Sequence, residues 1–250
     1  MTGKVLTQVH GRVLLVTLNR PDARNAVDAD LAAELVLAVA RLDGDDDLTV
    51  GVITGAGRGF CSGMDLKEFA SGTSSDEFAR FLQRGSVKPL VAAVEGFAVA
   101  GGLEIALCCD IIVAARRARL GIPEVGVGLF AAGGAIARMP RRVPFGAAAT
   151  LALTGDPIDG EEAYRLGLVD RLAEDGQAAK MALELAARIA QNAPLGLTTT
   201  KRLLRDGFGL RDDAFWELQA PYIERVFGSQ DALEGARAFA ERRSPVWTGR

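Results

Sequence analysis

The chain reads as an α/β protein, with a core over residues 1–192 and a helical region over 193–250. Three observations predict this. Short β-rich runs alternate with helical patterns through the first part of the chain. The 29 glycines imply tight turns and close backbone approaches, which suit an enzyme better than a simple helical bundle. Beyond Pro194 the pattern is helical and more charged.

Residues 4–9 and 12–18 are β-rich runs joined by His10-Gly11, the pattern of a hairpin. Asn19-Arg20-Pro21-Asp22 breaks the second run. Asp28 or Asp30 can cap a helix whose apolar face is Leu31, Leu35, Val39 and Leu42. Gly44-Asp45-Asp46-Asp47 ends that helix with a solvated charge run, and residues 50–54 form a short buried strand. After the glycine-rich loop 55–59, Phe60-Cys61-Ser62-Gly63-Met64-Asp65-Leu66 enters a helix at 65–69. A polar loop over 71–76 and a helix over 76–84 follow. Residues 90–94 and 97–99 read as strand with a bend at Gly96, 100–109 as buried helix and 111–114 as strand. The stretch 138–152 looks helical but is broken at Pro140 and Pro144. Helices at 161–166 and 178–190 are better formed, the second with Met181, Leu185 and Ile189 on one face. Later helical patterns fall at 201–204, 212–219 and 232–242.

A chain of 250 residues can bury a sizeable core. It is 49% hydrophobic and 24% charged, as ordinary globular proteins are. Net charge is −3 with both signs interspersed, so no basic stripe suits a nucleic acid. Cys61, Cys108 and Cys109 show no metal-ligand spacing, and an odd count without a framework points to a reducing compartment. Cys108-Cys109 reads as apolar filling. The N-terminus lacks the apolar core of a signal peptide, and no charge-free apolar run could span a bilayer. A cytoplasmic protein with no membrane partner is expected.

Two glutamates stand out. Glu104 ends Ala100-Gly101-Gly102-Leu103-Glu104 inside residues 91–113, which are otherwise nearly all apolar or small. Glu124 ends Leu120-Gly121-Ile122-Pro123-Glu124. A carboxylate in such a place should have an altered pKa, which makes it a candidate acid or base; a buried structural carboxylate is the alternative. The single histidine, His10, sits in a turn, which disfavours Ser-His or Cys-His catalysis and His-rich metal sites. Ser62 lacks the flanks of a nucleophile elbow. Gly55-Ala56-Gly57-Arg58-Gly59 has neither dinucleotide nor P-loop spacing and reads as a turn. If Ala100-Gly101-Gly102 opens a helix, its first N–H groups lack intrahelical partners, and Gly63-Met64-Asp65 makes a similar junction. Two such groups converging on one carbonyl oxygen would form an oxyanion hole, worth ~3–4 kcal/mol per donor.

These residues resemble the crotonase family, the enoyl-CoA hydratase/isomerase superfamily, in several motifs that follow in order. They are Asn19-Arg20-Pro21 with Arg24-Asn25-Ala26, then Gly59 through Leu66, then Gly96-Phe97-Ala98-Val99 running into Ala100 through Glu104. Cys109-Asp110, Pro123-Glu124, Leu153-Thr154-Gly155, Gly167-Leu168-Val169 and Ala238-Phe239-Ala240-Glu241-Arg242-Arg243 complete the set. Each motif is weak alone; together they are specific.

The resemblance implies a spiral of ββα units followed by C-terminal helices that mediate a homotrimer or a dimer of trimers. It assigns the oxyanion-hole N–H groups to Met64 and Gly101, and a water held between Glu104 and Glu124 as catalytic pair. The substrate would be an acyl-CoA thioester, with coenzyme A entering as part of it, no separate cofactor and no metal. Coenzyme A contacts would fall along Ala23, Arg24 and Ala26, along Ser62 and Asp65, and at Phe239 and Arg242. The implied reaction is syn addition of water across the C2–C3 double bond of a 2-enoyl-CoA. The alternatives are an isomerase or hydroxyacyl-CoA dehydratase of the same family, and a non-catalytic or RNA-binding relative. Met64 replaces a small residue common in short-chain hydratases, and Leu129-Phe130-Ala131-Ala132 replaces a Pro/Gly-containing turn. Both bear on the acyl group accepted.

Overall fold

The computed structural model describes residues 3–65 and 76–250. Strands β1 (Val5–His10) and β2 (Val13–Leu18) form the expected hairpin, with Gly11 supplying the left-handed conformation at its turn. Asp28 is the residue that caps helix α1 (Ala29–Gly44), accepting the Leu31 N–H at 2.8 Å. The expected face of α1, Leu31, Leu35, Val39 and Leu42, is buried. After β3 (Val50–Gly55) come α2 (Asp76–Arg84), β4 (Leu90–Val94), β5 (Phe97–Val99) and α3 (Gly101–Cys108). The helix expected from Asp65 to residue 69 and the loop expected over 71–76 lie largely outside the described residues; Asp76 already belongs to α2.

Strands β6 (Ile111–Ala115) and β7 (Arg119–Gly121) lead to the short helix α4 (Ala135–Arg138) and to α5 (Phe145–Thr154). Pro140 and Pro144 do interrupt this stretch: a 3-10 turn holds Met139–Arg141, and Pro144 precedes the first residue of α5. Then follow β8 (Ile158–Asp159), α6 (Gly160–Leu166), β9 (Arg171–Ala173), α7 (Ala178–Ile189), α8 (Pro194–Asp206), α9 (Asp212–Phe227) and α10 (Gln230–Glu241). Helices α8 and α9 extend well beyond the segments expected from sequence, while α10 falls close to the expected 232–242.

One sheet has six strands in the order β1-β2-β3-β4-β6-β9, parallel except for the first pair. Its inner strands are mostly apolar, broken only by Thr17 in β2 and Thr54 in β3, because both faces are covered. Val13, Val52, Val91 and Val113 pack on α7, while Leu14, Ile53, Ala92 and Ile112 join the main core with α1 and α3. The residues of α7 that point into this contact are Ala178, Ala182 and Ala186; Met181, Leu185 and Ile189 flank them and are only partly buried. Small alanines let the helix approach the sheet, so the deepest stripe is not its most hydrophobic one. A second sheet, β5-β7-β8, was not expected as a separate unit. Its strands of two or three residues are too short for any alternation to register.

Candidate active site

Four chain segments run side by side and bring the candidate residues together. Val27 and Met64 form a parallel bridge, in which Val27 N–H meets Gly63 O at 2.8 Å and Asp65 N–H meets Val27 O at 2.9 Å. Cys61 bridges Ala98 in the same sense, and β5 pairs with β7 so that Val99 stands opposite Gly121. The Ala100 N–H then meets Gly121 O at 2.9 Å. Because these pairings are parallel and in register, chain leaving each segment emerges at the same edge. That edge carries Met64, Gly101, Glu104 and Glu124.

Glycine makes the close approach possible. A Cβ on Gly63, whose φ is +96°, would stand 2.7 Å from Ala100 Cβ, and one on Gly101 would stand 3.5 Å from Met64 N. The two N–H groups named by motif are therefore neighbours. Among the described residues neither meets a backbone carbonyl: Gly101 is the first residue of α3, and the Val27 bridge uses the groups on either side of Met64. Ala100 holds φ +52° and ψ −130°, an unfavourable conformation for a residue with a Cβ, at the junction where the helix opens.

Glu104 lies in the first turn of α3 and is only 5% exposed. Its Oε1 accepts the Ala135 N–H at 3.2 Å, and the N–H groups of Gly133 and Gly134 also favour its ionised form. Burial outweighs them and pushes the carboxyl above its ordinary range, while the positive charge of Arg138 pulls the other way. Glu124 sits half-buried at the start of the 3-10 turn Pro123–Val127. Burial raises it too; its own N–H opposes the rise and the nearby charge of Glu104 adds to it. Glu124 Oε2 is buried with no hydrogen-bond partner among the described residues. The pair can thus divide one proton between them, as coupled carboxyls do.

The other expected contacts divide into two groups. Arg24 and Asn25 both adopt the left-handed conformation, and Arg24 O receives the Ser62 N–H at 3.1 Å, so Ala23 to Ala26 and Ser62 to Asp65 adjoin. Arg20 ties them further, donating to Ala26 O at 2.6 Å and pairing with Asp28 at 3.0 Å and Asp65 at 3.3 Å. Phe239 and Arg242 stand apart. Phe239 is 87% exposed near the end of α10, and Arg242 caps that helix in the left-handed conformation. No hydrogen bond or ion pair links either to the glutamates among the described residues. Unexpected at the site are Gly133, Gly134, Ala135 and Arg138, whose only sequence signal was the Gly-Gly pair.

The three thiols are buried and held protonated. Burial pushes the Cys61 thiol up to about 12, and Cys108 and Cys109 are also raised by burial. Among the described residues no group of three or more His, Cys, Asp or Glu side chains could hold a metal ion. No described helix is long and apolar enough to cross a membrane.

The model of the enoyl-CoA hydratase/isomerase family matches residues 8–250. The chain belongs to that family. Enoyl-CoA hydratase EchA19 of Mycobacterium tuberculosis is 40% identical, with 98% of this chain and 96% of that one aligned. (E)-benzylidenesuccinyl-CoA hydratase of Thauera aromatica is 38% identical over 98% of this chain and 99% of its own. Among solved structures, an enoyl-CoA hydratase from Mycobacterium tuberculosis H37Rv superposes with a TM-score of 0.95 at 47% identity, covering 99% of both chains. The hydratase/isomerase fold expected from the motifs is therefore the fold observed among the described residues.

Proposed function

We propose that this family member is a 2-enoyl-CoA hydratase that adds water in syn fashion across the C2–C3 double bond. The observation that carries this reading is the carboxylate pair: Glu104 and Glu124 sit within reach of each other's charge, and Glu124 Oε2 lacks a protein partner. A buried polar atom without a partner is costly unless a ligand or water completes it. Water held between the two carboxylates satisfies that oxygen and faces the double bond.

The Met64 and Gly101 N–H groups bind the thioester oxygen as an oxyanion hole, stabilising the negative charge that develops on it during attack. Water oxygen bonds to C3 as its proton passes to the ionised Glu104. Protonated Glu124 delivers its proton to C2, and the enolate collapses to the thioester. One water is consumed, and the two carboxyls end with their protonation states exchanged until solvent resets them. Burial raises both carboxyls above their ordinary range, which favours a pair that holds a proton. Reversal of every step dehydrates a 3-hydroxyacyl-CoA. A relative 37% identical, from Proteus mirabilis, is named as a carnitinyl-CoA dehydratase. No cofactor is needed beyond the coenzyme A that the substrate carries.

The C-terminal helices support a homotrimer or dimer of trimers as the working form. Among the described residues α9 buries none of its side chains, while Trp216, Phe227 and Phe239 lie exposed on α9 and α10. Apolar surface of this kind marks an interaction face.

The test is loss of enoyl-thioester absorbance with 2-enoyl-CoAs of graded length, for the wild type, Glu104→Gln and Glu124→Gln. Wild type turns over at least one substrate, and each variant loses ~10²–10⁴ in kcat. If no enoyl-CoA is hydrated while CoA esters still bind, the pair serves another acyl-CoA reaction.

A further inference from the structure

Glu104 does not position itself. Its carboxylate rests on the turn Gly133–Gly134–Ala135, so closely that a Cβ on Gly133 would collide with Oε2. That turn is held from behind by Arg138, whose guanidinium packs where a Cβ on Gly134 would lie. Arg138 Nη1 donates to Gly133 O at 3.2 Å. Its Nη2 donates to Leu82 O and, at 3.1 Å, to Gln83 O. Leu82 and Gln83 belong to the last turn of α2, whose carbonyls have no intrahelical donors and whose dipole favours a cation. The Cys108 thiol, at the far end of α3, also donates to Phe81 O at 3.2 Å. One planar fork therefore bonds three carbonyls from two elements, which a lysine could not reproduce.

We propose that Arg138 is a positioning residue for the Glu104 carboxylate, locking the 133–135 turn to the end of α2 and setting a fixed positive charge behind it. This rests on the reading of Glu104 as the group that takes the proton from water. The charged groups acting on Glu104 are Arg138 and Glu124. Arg138 also lines a cavity of about 1170 Å³ whose other charges are Asp110, Arg141, Arg142, Lys201, Arg205 and Asp206. Two of those cations are already engaged, Lys201 with Asp110 at 2.7 Å and Arg142 with Asp170 at 2.9 Å. Arg141 lies over the Phe208 ring at 5.3 Å. Arg138 is thus the cation that the turn places behind Glu104.

Arg138→Met should lower kcat by ~10–100-fold with KM changed less than about threefold, because misplacement of a catalytic group costs rate more than binding. Its pH–rate profile should move upward, since the charge favouring ionised Glu104 is gone. Arg138→Lys keeps the charge and loses the fork, so it should restore the pH profile while leaving kcat depressed. A merely structural role would lower the folded fraction and leave the profile of the remaining enzyme unmoved; that result overturns the proposal. A second readout is independent of turnover. Carboxyl titration of ¹³C-labelled Glu104 in a Glu124→Gln background should show a higher midpoint in Arg138→Met. An unchanged midpoint refutes the hold of Arg138 on Glu104. Failure of every enoyl-CoA to react would instead refute the hydratase reading, with the titration still deciding the role of Arg138.

Discussion

Glu104 and Glu124 are the same side chain in two differently built places. Glu104 projects from the first turn of a buried helix onto a turn that supplies N–H donors and a nearby arginine. Glu124 follows a proline in a short 3-10 turn, half-exposed, with one carboxylate oxygen left without a partner among the described residues. Burial raises both, but Glu104 has three N–H donors and the Arg138 cation resisting the rise, whereas Glu124 is opposed by its own N–H alone, with the charge of Glu104 adding to the rise. On the mechanism proposed above, the difference fits the roles: the better-supported carboxylate is suited to remain ionised and accept a proton, the less-supported one to hold and deliver it.

The largest test of that contrast is a pair of glycine substitutions. Gly133→Ala puts a methyl group into the Glu104 carboxylate and should cost ~100-fold in kcat. Gly126→Ala, two residues after Glu124, meets open space and needs no special backbone, so it should change kcat less than about twofold. Equal losses in steady-state assays would erase the distinction between a rigid and a loose support.

Folding stability gives the next effect. A carboxyl whose folded pKa lies above its unfolded value resists ionisation in the folded state. The resulting penalty is absent below about pH 4, grows as pH rises through the raised value, and is complete above it. Glu104→Gln removes the penalty and keeps an oxygen for the Ala135 N–H. It should therefore be more stable than the wild type at pH 8, with the gain vanishing near pH 4. Urea denaturation at the two pH values measures this, and a variant less stable at pH 8 contradicts it.

The smallest effect falls at Met64. Its side chain is 41% exposed, and its proposed role uses only the backbone N–H. Met64→Ala should leave kcat for the best substrate within about threefold and shift the preference among acyl lengths or shapes, read from kcat/KM across the series. A hundredfold loss on all substrates would mean that the side chain, not the main chain, carries the function.

Much of this was legible in the residues. The face of α1, the hairpin at Gly11, the bend at Gly96 and the burial of Glu104 all follow from local pattern, while the choice of Asp28 over Asp30 as the α1 cap does not. A lone carboxylate in an apolar run announces itself. Three things did not. The strands β7, β8 and β9 are too short to show a period. The inward stripe of α7 is alanine, which a search for large apolar residues passes over. Arg138 stood in a stretch that looked only like an interrupted helix, since nothing local links it to Glu104.

By itself, then, the sequence determined the longer helices and strands of the core, the family and the two candidate carboxylates, because helix periodicity, capping and glycine motifs are short-range properties of the chain. Tertiary structure alone decided that these residues meet. Parallel pairing of 61 with 98 and of 99 with 121 carries three distant junctions to one edge, and a turn more than twenty residues downstream of α3 supplies the donors to Glu104. Such contacts depend on the register between separate segments, and register is fixed by packing across the whole core rather than by any one segment.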